Sequence, residues 1–299
     1  MTSKAYLSPE ATALLKSLEA ETSEPPTPST VAAHRQASKA AFLPRAARAR
    51  TRHDVTVQTV EIAGQTCLDI APRGKVNGTV LYCFGGGYVA GSAEEDLIVS
   101  AALSAQAGAR VVSIEYPLAP EHPWPAAHEA AWSVFEALQR DDPKLAIAGE
   151  SAGGNLALTL MLRASHAPSA VLLLSPWCDL THGGEAMQLN DGRDPTLSYA
   201  HCLAASDMYA AQADPSRPEI SPINGEFSRE GPPVMITTGT RDLLFSQCAE
   251  LARRMRMAGQ DVRLDVYDGL WHVFEFYDEL PEARLSLQEC GAFLKRHLR

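Results

Sequence analysis

Leu145-Ala146-Ile147-Ala148-Gly149-Glu150-Ser151-Ala152-Gly153-Gly154-Asn155-Leu156-Ala157 is the stretch from which the rest of the chain can be read. The apolar run 145–148 predicts a buried strand, and 156–162, made of good helix formers, predicts a helix. Between them the chain has only Gly149-Glu150-Ser151-Ala152-Gly153 in which to reverse. So sharp a strand-to-helix reversal forces its pivot, Ser151, into a strained conformation, and the glycines two residues to either side leave it room. The serine oxygen then projects at the positive end of the helix, where negative charge is favoured. That suits an acyl-transfer nucleophile. A Gly-Ser-Gly turn also arises for purely structural reasons, so the rest of the chain must supply a histidine, an acid and oxyanion donors.

Outward from the serine, the pattern is strand, loop, helix, repeated. Strands are expected at 79–84, 110–114, 170–174, 234–238 and 262–267, with helices at 94–107, 125–140, 246–258 and 281–298. Such alternation indicates an α/β fold with a mostly parallel sheet covered on both faces. Before it, 55–60 and 66–70 alternate around Ala63-Gly64-Gln65, an antiparallel hairpin. Residues 1–50 differ. Ser8-Pro9-Glu10 opens an amphipathic helix carrying Leu14, Leu15 and Leu18, Glu24 to Thr30 breaks the chain, and a second helix is expected over 31–41. Between 179 and 231 the pattern lapses into an insertion, with 196–213 read as helical. Either segment can form a lid or simply pack on the domain.

Ligands of open parallel sheets bind beyond the carboxyl ends of the strands, so the loops there are the ones to search. After 79–84 comes Gly85-Gly86-Gly87-Tyr88, glycines that let backbone N–H groups turn toward a ligand alongside that of Ala152. After 234–238 comes Gly239-Thr240-Arg241-Asp242, the aspartate followed by the dry run Leu243-Leu244-Phe245. After 262–267 comes Asp268-Gly269-Leu270-Trp271-His272-Val273-Phe274. His272 is the histidine that follows the last strand with apolar residues on both sides. His34, His53, His166, His182, His201 and His297 are read as structural, and His122 and His128 merely flank Pro123-Trp124-Pro125. The order Ser151, Asp242, His272 is that of α/β-hydrolases and differs from the other common serine triads.

Length and composition narrow the classes. The chain of 299 residues can hold one large α/β domain, and its 45% hydrophobic and 21% charged content is globular. A formal charge of −10 argues against a nucleic acid or an anionic membrane as partner. There is no run long enough to span a bilayer and no apolar signal segment at the start. Cys67, Cys83, Cys178, Cys202, Cys248 and Cys290 are scattered, which suits reduced core thiols in a cytoplasmic protein.

Over roughly residues 75–298 the chain resembles the hormone-sensitive-lipase-like esterases of the α/β-hydrolase fold. The motifs that carry the resemblance are Gly85-Gly86-Gly87-Tyr88, then Leu118-Ala119-Pro120-Glu121-His122-Pro123-Trp124-Pro125-Ala126-Ala127, Gly149 to Ala157, Ser175-Pro176-Trp177-Cys178-Asp179-Leu180, Ser221-Pro222, Gly239 to Asp242 and Gly269 to Phe274. The resemblance implies Ser151 as nucleophile, His272 as general base, Asp242 as its orienting acid, and Gly85, Gly86 and Ala152 as oxyanion donors. It also implies that residues 1–50 form a helical cap on a catalytic domain at 51–299, which the 179–231 insertion could complete, and it makes a homodimer plausible. Two positions depart from the family. Phe84 stands where histidine is usual, so it can brace the glycine loop only by packing. Pro117 stands where arginine is common, so a salt bridge fixing the neighbouring loop is expected to be missing.

The expected activity is hydrolysis of small, short-acyl esters through an acyl-enzyme, with no metal or organic cofactor. The acyl pocket is expected to be small and apolar, lined by Tyr88, Val89, Leu244 and Phe274 with Phe42 from the cap. A lactone, amide or carbamate hydrolase would use the same triad. A small-molecule receptor on a hydrolase scaffold would have no use for His272.

Overall fold

In the computed structural model, which describes residues 6–18, 24–183 and 185–298, eight strands form one sheet. They are β1 (Val55–Ile62), β2 (Gln65–Pro72), β3 (Thr79–Cys83), β4 (Arg110–Ile114), β5 (Ala146–Glu150), β6 (Val171–Leu174), β7 (Val234–Gly239) and β8 (Val262–Tyr267), in the order 1-2-4-3-5-6-7-8. β1 and β2 are the expected hairpin, Val55 opposite Pro72 and Ile62 opposite Gln65, and β2 meets β4 antiparallel. From β4 to β8 every pairing is parallel. β3, β5, β6 and β7 are buried along their whole length, which is why they read as continuous apolar runs. β8 alternates because it is an edge.

The helices are α1 (Pro9–Leu18), α2 (Val31–Arg52), α3 (Leu97–Ala107), α4 (Ala126–Asp141), α5 (Ser151–Arg163), α6 (Glu185–Asn190), α7 (Tyr199–Ala210), α8 (Phe245–Met257) and α9 (Pro281–His297). α3 packs on α9 and α4 on α5, two helical layers that enclose the sheet. Among the described residues, no helix is long and apolar enough to cross a membrane. All six cysteines are free and buried.

Three expectations need correction. α2 does not stop at residue 41 but continues through Pro44 to Arg52. Pro44 lacks the N–H that would bond Ala40, a cost of about 3 kcal/mol in a helix interior. The alanine-rich sequence and the burial of Ala46 and Ala49 offset it. α7 starts at Tyr199, later than expected, because the Ser198 hydroxyl caps it by accepting the His201 N–H at 3.3 Å. A short extra helix, α6, lies in the insertion. Residues 1–5 and 19–23 of the expected cap, residue 184 of the insertion and residue 299 lie outside the described residues.

α1 is capped as expected, the Ser8 hydroxyl accepting the Ala11 N–H at 3.0 Å. It lies far from its sequence neighbours. Ala11 and Leu15 form a second core with Leu270, Trp271, Phe274 and Leu280, and Ser8 donates from both N–H and Oγ to Glu282, at 2.7 and 3.0 Å. The segment carrying His272 is thus packed from behind by the start of the chain.

Candidate active site

Because β4 to β8 run in parallel, their carboxyl ends open on one side, and every loop singled out above meets there. Ser151 follows β5 directly and starts α5 with φ 52°, the left-handed conformation the reversal demands. The glycines beside it are obligatory. A Cβ on Gly153 would meet the Cys83 carbonyl oxygen at 2.0 Å, and one on Gly149 would meet the Gly153 carbonyl oxygen at 2.2 Å.

The Ser151 hydroxyl donates to His272 Nε2 at 2.9 Å, and His272 Nδ1–H donates to Asp242 Oδ1 at 3.0 Å. Asp242 is fully buried and saturated with donors. Leu244 N–H reaches Oδ1 at 2.8 Å and the Thr238 hydroxyl reaches Oδ2 at 2.9 Å. Burial alone would raise its pKa, but the His272 charge, with hydrogen bonding from His272, Ser175 and the Leu244 N–H, holds it below the ordinary carboxylate value. For His272, burial disfavours the proton, yet Asp242, followed by Asp194 and Glu275, more than offsets this and raises its pKa. The imidazole is therefore oriented, with the right nitrogen on the serine, and made more basic. Immediately after it Val273 sits at φ 41°, rare for a β-branched residue, and donates its N–H to Ser175 Oγ at 3.2 Å.

The glycine loop differs in detail from expectation. Gly86 and Gly87 have φ of 101° and 64°, and a Cβ on Gly86 would meet the Ala90 carbonyl oxygen at 2.3 Å. The Glu150 carboxyl lies on Gly85, where a Cβ would meet its Oε1 at 2.0 Å, and the Gly85 backbone N–H is turned to that carboxyl. Gly85 is thus engaged by Glu150, whereas the N–H groups of Gly86, Gly87 and Ala152 have no acceptor among the described residues. Gly87, the third glycine of the motif, thus joins Gly86 and Ala152 as a candidate donor. Burial, with Asp96 adding to it, raises the Glu150 pKa strongly.

The loop is held by three contacts. Phe84 stacks on Tyr116, as packing alone allows, but the Tyr116 hydroxyl also donates to the Phe84 carbonyl. The Tyr88 hydroxyl donates to Asn155 Oδ1 at 2.8 Å, and its ring stacks on Tyr209 at 3.7 Å. The segment that follows Pro117 is tied to α2 through Arg35. Arg35 binds both oxygens of Glu121 and donates to the Val89 and Ala119 carbonyls, each at 2.7 Å.

A cavity of about 260 Å³ opens on Ser151 and His272. Val89, Leu244 and Phe42 line it, as expected. Tyr88 and Phe274 do not; both are buried in packing, and Val273, Phe276 and Trp177 face the cavity in their place. His34 and His201, read as structural from the sequence, are on its wall with ring centroids 6.2 Å apart. They belong to α2 and α7, segments whose position over the sheet no local pattern encodes. His122 and His128 do not line it.

A family model described as the alpha/beta hydrolase fold matches residues 80–276. The chain is 29% identical over 248 residues to an esterase of Acinetobacter venetianus, with 80% of this chain and 82% of that one covered. It is 32% identical over 234 residues to an acetyl-hydrolase of Streptomyces hygroscopicus, with 76% and 78% covered. The solved structure of a hormone-sensitive lipase from a metagenome library superposes with a TM-score of 0.87 at 27% identity, over 97% of this chain and 98% of that one. The chain belongs to the α/β-hydrolase fold family, on its hormone-sensitive-lipase-like branch.

Proposed function

We propose that this carboxylic ester hydrolase works through an acyl-enzyme on Ser151 and takes esters with short acyl groups. The observation that carries the reading is the unbroken relay from Asp242 through His272 to Ser151, opening on a cavity of about 260 Å³. His272 Nε2 takes the serine proton as Oγ attacks the acyl carbon, and the carbonyl oxygen becomes an oxyanion facing the N–H groups of Gly86, Gly87 and Ala152. The imidazolium, steadied by Asp242, then protonates the leaving alcohol. Water repeats the sequence and releases the acid.

The short-acyl preference is supported by volume and lining. The cavity lies at the small end of ligand sites and is walled by Val89, Leu244, Phe42 and Phe276. The names of the acetyl-hydrolase and esterase relatives agree with that choice. The segments that supply His34, Phe42, Leu197 and His201 act, in this reading, as the two halves of a cap.

Turnover of p-nitrophenyl acetate, butyrate, octanoate and a matched lactone and anilide tests the proposal. A serine esterase of this kind cleaves the two short esters best, and Ser151→Ala abolishes the rate. Normal turnover by Ser151→Ala would overturn the mechanism; preference for octanoate would overturn the substrate class.

A further inference from the structure

Asp194 lies in the insertion, between α6 and α7, outside every motif that defines the family resemblance. It is buried, yet its carboxylate gathers five donors. Oδ1 accepts the Thr196 N–H and hydroxyl, both at 2.9 Å, and the Leu197 N–H at 3.1 Å. Oδ2 accepts the Leu243 N–H and the His272 N–H, each at 3.0 Å. Leu243 is next to the orienting acid and His272 is the base itself. One oxygen therefore holds together two loops that leave different strands. Asn190 adds a second grip from the same insertion, donating to the Asp242 carbonyl at 2.9 Å. Thr196 and Leu197 face the cavity.

We propose that Asp194 is a positioning residue of the triad, clamping the acid loop to the base loop and setting a second negative charge beside the imidazole. The proposal rests on the acyl-enzyme reading above. The clamp fixes the separation of Asp242 from His272 through their backbones, where side-chain hydrogen bonds alone would leave the loops free to drift. Its charge adds to that of Asp242 when His272 becomes an imidazolium. The acidic groups facing His272 are Asp242, Asp194 and Glu275. Asp242 and His272 face Asp194 in turn, with Arg241 reaching the neighbouring Arg193 carbonyl. Removing the Asp194 charge leaves His272 less ready to hold a proton.

The test uses the full chain with isotope-labelled histidine and backbone. In the wild type the Leu243 and His272 amides, donating to one oxygen, shift with a common acid midpoint as Asp194 protonates; separate midpoints would overturn the clamp. Asp194→Asn lowers kcat by about tenfold with KM nearly unchanged, and moves the His272 titration acidward by about 0.5–1 pH unit. Asn190→Ala, which carries no charge, leaves that midpoint in place. An unchanged His272 midpoint in Asp194→Asn would overturn the electrostatic role. Labelling of wild-type Ser151 by an organophosphonate is measured alongside. Its failure would count against the acyl-enzyme, while the amide titrations would still decide the clamp.

Discussion

Tyr116 stacks its ring on Phe84 at 4.1 Å and 9°, and donates its hydroxyl to the carbonyl of that same residue at 2.6 Å. Two kinds of contact, one apolar and one polar, thus hold the residue that leads into the glycine loop. Tyr116→Phe keeps the stack and leaves a buried carbonyl short of a donor, at a cost of about 1–3 kcal/mol. The expected kinetic effect is a fall in kcat of about tenfold with little change in KM, because the loop donors serve the transition state. Steady-state rates on p-nitrophenyl acetate with a parallel Tm check this; an unchanged kcat would show that Arg35 and Tyr88 suffice.

Arg35 ties α2 to the loop by three routes, and they are unequal. Glu121 is half-exposed, so its ion pair contributes little. The bonds to the Val89 and Ala119 carbonyls are partly buried and position a cavity wall. Arg35→Ala is therefore expected to raise KM by about three- to tenfold, and Glu121→Ala by less than about twofold. Equal effects would mean that the ion pair, not the carbonyl bonds, matters.

In the acyl-enzyme reading, the acid limb of kcat/KM reports His272. Burial opposes its protonation but the neighbouring carboxylates outweigh that, so the midpoint lies above the ordinary 6.5. The folded group binds its proton more tightly than the unfolded chain does. Its stabilising contribution is complete below about 6.5 and is lost as pH rises through the folded midpoint. Asp242→Asn removes the dominant charge, moving the midpoint to lower pH while kcat drops by about 10³–10⁴. A pH–rate profile of both proteins decides it; a wild-type midpoint below 6.5 would contradict the electrostatics.

Asp96 is an acid whose burial favours its protonated form. Burial, against the opposing Tyr82 hydrogen bond and reinforced by Glu95 and Glu115, pushes it up to about 8. The unfolded chain ionises it near 3.8, so between those values rising pH favours unfolding. Asp96→Asn escapes this dependence. Its Tm relative to wild type is expected to climb by roughly 10 °C between pH 4 and pH 8. Parallel thermal melts at those two pH values measure it, and a constant difference would refute the raised pKa.

The parts legible in the sequence are those encoded locally. The serine turn, the hairpin and the strand-end positions of Asp242 and His272 follow from glycine geometry, periodicity and chain order. The rest depends on contacts between distant residues. Nothing near Arg35 indicates that it would tie α2 to Glu121 and the Val89 and Ala119 carbonyls, and nothing in Asp191-Gly192-Arg193-Asp194 distinguishes a clamp from a surface turn. Tyr88 looked like a pocket residue because it follows the glycines, but its hydroxyl is claimed by Asn155 and its face by Tyr209. His34 and His201 looked ordinary because their place on the cavity wall depends on how α2 and α7 cross the sheet.

Ser8 is bonded to Glu282, 274 positions later, and the apolar face of α1 rests on residues 270–283. α1 therefore takes its shelter from residues that lie far from it along the chain. At ten residues it is too short to persist in water by itself. Its helical order rests on the loop after β8 being in place to receive it. The docking that shelters it also backs the segment bearing His272. The order of α1 and the placement of His272 are therefore linked, and whatever undocks the one removes support from the other.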